Sequence, residues 1–350
     1  MTISSISTAS LASFLSQSVN TMQSQLANAE IELSTGQDAD VGLSLGASTG
    51  GAISLQQQQS FMQTLTTTNN TAATRLSTTQ STLSNMQTTA QSFLNSLIAN
   101  QGTQSNSSIL QTSATSGLQS LTSDLNSTLG GSYLFAGTNT SNPPITDFFA
   151  SGAPNAAAVN NAIQAQFGNP PDFSTTTGAQ MSSFLAPGGA FDSLFSGDWS
   201  TSTGSGWSSA SDQTLTSQIS NSNTENTSVS ANQTAFRQLA EAYTMVSALG
   251  SQNLGSDAYQ AMTTQAQSLL SSAVTGLTNI QSNVGLVQSS ITTSNNQMSA
   301  QMTILSTQVN NLESADAYNA ATKVNTLQTQ IQTAYSLTSQ LHKLSLVNYL

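Results

Sequence analysis

All six prolines of this 350-residue chain lie between Pro143 and Pro187, and the 142 residues before them and the 163 residues after them contain none. Proline lacks a backbone N–H and clashes with the preceding helical turn, so a long segment without it can remain one unbroken helix. Both tryptophans, Trp199 and Trp207, follow the proline-containing segment. This distribution predicts a mainly α fold: a long antiparallel helical bundle or coiled coil from both termini, with a small inserted domain that is β-rich or mixed.

Apolar residues recur at helical spacing on both sides of the insert, as they do in a coiled-coil seam. In the first arm the seam contains Met62, Leu65, Asn69, Ala72, Leu76, Thr79, Leu83, Met86, Ala90, Phe93 and Leu97. In the second arm it contains Ala266, Leu270, Ala273, Leu277, Ile280, Val284, Val287, Ile291, Ser294, Met298, Gln301, Leu305, Gln308 and Leu312. Polar residues on a seam can fix the register between helices. We expect this of Asn69, Gln301 and Gln308.

Shorter amphipathic helices are predicted at the two ends, over residues 5–34 and 315–346. Their apolar stripes have no obvious third partner within the chain, so we expect them to pack chiefly against neighbouring subunits. The candidate assembly-interface residues are Leu11, Leu15, Met22, Leu26, Leu33, Val324, Leu327, Ile331, Leu341, Leu344 and Leu346. The predicted parts are terminal helices (1–57 and 313–350), a long-helix bundle with a β-turn element near 130–145 (58–145 and 226–312), and a variable insert (146–225).

The composition excludes several classes of function. Only four residues are basic against 15 acidic ones, so the chain lacks the clustered cations that nucleic-acid binding requires. It has no cysteine, and His342 is its single histidine, which leaves too few ligands for a zinc site. The sequence contains no run of about 18 apolar residues, so it predicts no membrane-spanning segment. We therefore expect no catalytic, cofactor-binding or metal-binding residue, and no enzyme activity.

Five sequence elements, in this order along the chain, resemble those of the flagellin family. They are Leu33-Ser34-Thr35-Gly36 at the end of the first helix, Tyr133-Leu134-Phe135-Ala136-Gly137 in a turn, Gly285 in the long C-terminal helix, Ala315-Asp316-Ala317 before the last helix, and the tail Leu344–Leu350. The resemblance covers residues 5–145 and 230–350. The segment Gln37–Leu43 departs from the family's usual pattern. The turn and the tail are most similar to hook-associated protein 3, the hook–filament junction branch of the family.

The resemblance implies a secreted structural protein of the extracellular bacterial flagellum, which takes part in motility and is exported through the type III channel without signal cleavage. Its expected partners are copies of itself in a ring, the neighbouring hook-associated protein, flagellin, and an export chaperone. Two alternatives remain open: a filament-forming flagellin, and a secreted coiled-coil adhesin or type III effector.

Overall fold

The computed structural model describes residues 8–100, 104–250 and 253–347. Ten α-helices and two short β-hairpins lie within these ranges. The helices are α1 (Thr8–Thr35), α2 (Val41–Leu45), α3 (Thr49–Ala99), α4 (Ser107–Leu125), α5 (Pro154–Phe167), α6 (Gly178–Leu185), α7 (Ser193–Ser196), α8 (Thr234–Leu249), α9 (Ser256–Glu313) and α10 (Ala317–Val347). The strands are β1 (Thr128–Leu129), β2 (Ser132–Tyr133), β3 (Thr216–Gln218) and β4 (Thr224–Asn226). The predicted mainly α fold is confirmed.

Contacts divide the chain into two compact units. The first, called here the terminal unit, contains residues 1–64 and 298–350. In it α1 packs along α10 in the antiparallel direction: Gln23 Nε2 donates to Tyr335 Oη over 2.8 Å, and Lys323 Nζ lies 3.8 Å from Glu32 Oε2. The beginning and the end of the described chain therefore lie side by side.

The second unit, residues 65–297, holds the large hydrophobic core of the protein. Its part of α3 runs antiparallel to its part of α9, as shown by hydrogen bonds from Asn69 Nδ2 to Asn295 Oδ1 (2.8 Å) and from Gln87 Nε2 to Thr278 Oγ1 (3.0 Å). Helix α8 is buried along most of its length, and α4 packs against it. Gly276 of α9 allows that helix to approach α8 closely, because a Cβ there would lie 2.8 Å from the Cβ of Ala235.

Residues 146–225 form a mixed segment rather than a β-rich one. They contain helices α5, α6 and α7, and the only strands among them are the three-residue β3 and β4, paired antiparallel with Ser217 opposite Glu225. A series of ring contacts joins six aromatic residues in this segment: Phe167, Phe184, Phe191, Phe195, Trp207 and Trp199. These rings belong to the same hydrophobic cluster as α3, α4, α8 and α9, so the segment shares the core of the second unit instead of having its own.

The seam prediction was correct at Asn69 and wrong at Gln301 and Gln308. Asn69 is fully buried and also donates to the backbone oxygen of Ile219 over 2.8 Å. Gln301 and Gln308 are exposed, whereas Leu305 and Val309 are buried. A straight helix has 3.6 residues per turn, so its buried face drifts away from a strict 3.5-residue seam over several turns.

Candidate functional site

The Leu33–Gly36 element at the end of α1 is a helix stop. Gly36 has φ +70°, a left-handed conformation that glycine adopts without steric cost, and its N–H donates to Glu32 O over 2.9 Å. The hydroxyl of Thr35 donates to Ile31 O over 2.7 Å and accepts from Gln37 N over 3.2 Å. The Thr-Gly pair therefore ends the helix and turns the chain into an extended segment.

This extended segment pairs with the chain just before α10. Gln37 and Ser314 form an antiparallel β-bridge, flanked by hydrogen bonds from Ala315 N to Gly36 O (3.0 Å) and from Asp38 N to Glu313 O (2.9 Å). Two sequence elements 277 residues apart (314 minus 37) thus meet in one small structure. The bridge fixes the register in which α1 and α10 lie against each other.

Asp316 begins α10 as its N-terminal cap. Its Oδ1 accepts hydrogen bonds from the backbone N–H groups of Tyr318 (2.9 Å) and Asn319 (3.3 Å), and Asn319 Nδ2 donates to Oδ2 over 3.0 Å. A carboxylate in this place satisfies N–H groups that have no partner in the helix and complements the helix dipole. Asp316 is therefore structural.

The other carboxylates nearby also have structural partners. A groove of about 860 Å³ between α1, α2 and α10 is lined by Glu32, Asp38, Asp40 and Asp316. Asp40 Oδ1 accepts from Leu43 N over 2.9 Å and so caps α2, and Asp38 accepts a hydrogen bond from Ser44 Oγ. Among the residues that the structure describes, no three His, Cys, Asp or Glu side chains are grouped as metal ligands. Helix capping accounts for Asp40 and Asp316, and Glu32 lies 3.8 Å from Lys323 Nζ.

The predicted assembly residues fall into three groups in the structure. Val324, Leu327 and Ile331 are buried on the face of α10 that packs against α1, so within this chain they are intrachain contacts. Leu15, Met22 and Leu26 are half-buried in α1, whereas Leu11 and Leu33 are exposed. The side chains of Leu341, Leu344 and Leu346 lie outside the described part of the chain. The structure therefore places these residues on two different surfaces, one used within the chain and one free.

The terminal unit exposes an unusual amount of apolar surface. Of the fifteen large apolar side chains exposed in the described parts of the chain, eleven lie in this unit, which comprises 117 of the 350 residues. The eleven, called here the exposed apolar set, are Leu11, Phe14, Ile31, Leu33, Leu43, Ile53, Phe61, Ile304, Tyr318, Tyr335 and Leu337. Large exposed apolar patches mark interaction sites in soluble proteins, and a concentration of exposed apolar side chains in one unit makes it a candidate for such a site.

The Tyr133–Gly137 element is a tight turn that is held by the Arg75 side chain and by the packing of Phe135. Arg75 Nη2 donates to the backbone oxygens of Tyr133 (2.7 Å) and Leu134 (3.0 Å). Phe135 is fully buried and meets Phe236 edge-to-face, with ring centroids 5.7 Å apart. Gly137 has φ +62°, and a Cβ there would lie only 2.3 Å from Ser211 O. The sequence motif is thus explained by packing inside the second unit.

Gly285, the remaining motif residue, has no such explanation. It lies in α9, and a Cβ built on it would meet no atom of the described chain within 4 Å. Glycine inside a helix costs about 1 kcal/mol relative to alanine. Nothing in the structure of the single chain offsets that cost.

Comparison with known families agrees with the motifs. The model of the bacterial flagellin N-terminal helical region matches residues 6–140, and that of the flagellin C-terminal helical region matches residues 268–350. The two matches stand in family order and together cover 218 of the 350 residues (135 plus 83). The chain belongs to the flagellin family. It is a structural subunit of the bacterial flagellum, and the bridge between Gln37 and Ser314 joins the two family regions.

Comparisons with curated proteins and with solved structures do not narrow the role within the family. No curated protein matches the sequence significantly. A Vibrio parahaemolyticus protein, whose structure was solved under the name of a flagellar hook-associated protein, has 12% sequence identity and a TM-score of 0.42. The match covers 77% of this chain and 96% of that one. Similarity at this level carries no argument about function. No helix in the described ranges is long and apolar enough to cross a membrane.

Sequence reasoning missed two features of the site. The exposed aromatic residues Phe14, Tyr318 and Tyr335 were not predicted as interface residues, although each lies beside the predicted stripes on α1 and α10. Arg75 was not recognised as the residue that holds the turn. The available signal was a basic residue directly beside the seam residue Leu76, in a chain with only four basic residues.

Proposed function

We propose that this flagellin-family subunit acts at the hook–filament junction, where it assembles through the terminal unit. The observation that carries the assembly role is the exposed apolar set, eleven side chains concentrated in one third of the chain. The junction role is favoured by the Tyr133–Gly137 turn and the Leu344–Leu350 tail, which are most similar to the junction branch of the family.

The energetics favour assembly by helix packing. Each large apolar side chain that a neighbouring subunit covers contributes about 1.5–3 kcal/mol. Covering three or four members of the exposed apolar set would therefore stabilise a contact by several kcal/mol before the entropy of association is subtracted. Phe14, which is 67% exposed, offers one of the largest surfaces.

Immunogold electron microscopy of the source bacterium separates a junction subunit from a filament subunit. Antibody against this protein should label one short band beside the hook. A strain lacking the gene should carry bare hooks and release flagellin into the medium, and the wild-type gene should restore filaments. Label along whole filaments, or filaments that merely become shorter in the deletion strain, would show a filament-forming flagellin instead.

A matched pair of variants tests the exposed apolar set. Phe14→Ser removes an exposed ring from α1, whereas Ser24→Ala changes an exposed residue of the same helix without removing apolar surface. Both proteins should appear in the medium when filament assembly is blocked, which shows that export is intact. We expect only Phe14→Ser to be incorporated poorly into flagella. Equal incorporation of both variants would contradict the proposed surface.

A secreted adhesin or effector is the remaining alternative. Under that alternative the protein should be found away from flagella, and loss of the gene should leave filaments unchanged. Deleting residues 146–225 is a poor test of this, because Phe184, Phe195 and Trp207 belong to the shared core of the second unit. Point substitutions on the outer surface of the insert avoid that problem.

A further inference from the structure

The second unit contains a groove whose lining is entirely uncharged. The groove, of about 470 Å³, lies between α4, the end of α8, helix α5 and the loop around Phe149. None of its lining residues is acidic or basic, although the chain as a whole carries a net charge of −11. An anionic ligand would find no cation among these lining residues. Its lining therefore suits a neutral ligand better than an anionic one.

One wall of the groove is a fixed aromatic surface. The ring of Phe149 is 41% exposed and meets Phe148 edge-to-face, with ring centroids 5.3 Å apart. Phe148 in turn stacks on the buried ring of Trp207 at 5.5 Å and an interplanar angle of 13°. The backbone N–H of Phe149 donates to Asp147 Oδ1 over 2.9 Å, which orders the loop. The exposed ring is thus held in place before any ligand arrives.

The opposite wall offers free amide groups. Asn160 and Gln164 line the groove one turn apart on α5, and the side-chain amide of neither makes a hydrogen bond to any residue that the structure describes. Each amide can donate and accept hydrogen bonds. Polar groups of α4 and α8 in the groove already bond each other: Gln111 Nε2 donates to Ser247 O over 2.9 Å, and the hydroxyls of Thr115 and Ser247 are 2.9 Å apart. The open hydrogen-bonding capacity therefore lies chiefly on α5.

We propose that this groove binds a neutral carbohydrate of one or two sugar rings. A sugar ring has an apolar C–H face, which fits an exposed phenylalanine ring, and hydroxyl groups at its edge, which fit the amides of Asn160 and Gln164. A wholly apolar ligand would leave the half-buried Gln164 amide without a hydrogen-bond partner. The volume of the groove lies within the range of small-molecule sites. Such a site would give the flagellar subunit a binding activity in addition to assembly.

Saturation-transfer NMR on the full chain tests the proposal. The probes are glucose, galactose, mannose, N-acetylglucosamine and N,N′-diacetylchitobiose, with the anionic N-acetylneuraminic acid as a control. We expect transfer to at least one neutral sugar and none to the anionic one. Absence of transfer to every neutral sugar would overturn the proposal. So would transfer to an Asn- and Phe-containing dipeptide but to no sugar, because the groove would then be a peptide site.

Variants then locate the site. Phe149→Ala and Gln164→Ala should each weaken binding of the responding sugar about fivefold or more, since each removes one aromatic face or one hydrogen-bonding side chain. Asn161→Ala is the matched control, because Asn161 is an exposed neighbour on α5 that does not line the groove. Circular dichroism should show the same helix content in all three. Equal affinity of Phe149→Ala and Asn161→Ala would place any sugar binding elsewhere and overturn the assignment.

Discussion

Replacing Glu241 with glutamine should stabilise the second unit. Glu241 lies in the buried helix α8 with 2% of its surface exposed, and its Oε1 has no hydrogen-bond partner among the described residues. Burial raises the pKa of Glu241 to about 8, and the Asp192 carboxylate adds to the shift. The folded protein thus holds a carboxyl group that must either keep its proton or remain charged without a counterion.

The size of the effect follows from the pKa difference. The pKa of an unperturbed glutamate is 4.5. At pH 7 the Glu241 carboxyl group is protonated in the folded state and ionised in the unfolded state. Because pH 7 lies two to three units above the unfolded-state pKa, keeping this proton lowers the unfolding free energy by about 3 kcal/mol. This cost is absent below pH 4.5, grows as the pH rises, and stops growing near pH 8. Glutamine has no proton to lose, so Glu241→Gln should avoid the cost.

Urea unfolding followed by the fluorescence of Trp199 and Trp207 measures this effect, because both residues lie in the second unit. The variant and the wild-type chain should have nearly equal unfolding free energies at pH 4.5. The variant should be more stable by about 3 kcal/mol at pH 7, and the gap should level off above pH 8.

Thr244→Val provides a matched control. Thr244 lies in the same helix, is fully buried, and has a hydroxyl without a described partner, but it does not ionise. Its substitution should change the unfolding free energy by the same amount at every pH. The reasoning is refuted if the Glu241→Gln gap does not change with pH, or if the variant is less stable than wild type at pH 7.

Three further variants test the turns and caps, each by urea or thermal unfolding. Gly137→Ala should destabilise the second unit by more than about 2 kcal/mol through its clash and positive φ, whereas Gly131→Ala, with positive φ but open space, should cost about 1 kcal/mol; equal costs would contradict the clash. Asp316→Ala should lower the helicity of α10 and cost about 1 kcal/mol; unchanged stability would show that the cap is dispensable. Arg75→Met should cost about 2 kcal/mol, because it leaves the Tyr133 carbonyl without its donor; a neutral effect would mean that water replaces the guanidinium.

Much of the helical fold was predictable because its signals are local. Periodic apolar residues and the absence of proline predicted α3 and α9, and glycine at 36 and 250 marked the ends of α1 and α8. The proline distribution predicted a helical bundle formed from both termini, and α1 does pack along α10. A stripe does not reveal which partner buries it, however. Val324 and Leu327 are covered by α1 of the same chain, whereas the expectation assigned them chiefly to neighbouring subunits.

The insert could not be predicted to the same depth. Its two strands are three residues long and polar, too short for an alternating pattern to appear. Its core depends on contacts between rings distant in sequence, such as Phe167 with Phe184 at 5.1 Å. The groove between α4 and α5 arises in the same way, because Gln111 and Asn160 become neighbours only after the segment docks on the helices.

The scarcity of charge has a structural counterpart on the long helices. Their polar faces carry threonine and serine hydroxyls that donate to the backbone oxygen four residues earlier, as Thr326 does to Thr322 and Thr329 does to Asn325, both over 2.8 Å. A hydroxyl that already has a partner within its own helix loses little when water is removed, whereas a charged side chain pays a large desolvation penalty. A neighbouring subunit can therefore cover such a face, together with the adjoining apolar residues, without leaving a buried charge unpaired. For this reason Thr329→Lys, at an exposed position on α10, should hinder assembly while leaving the isolated chain folded.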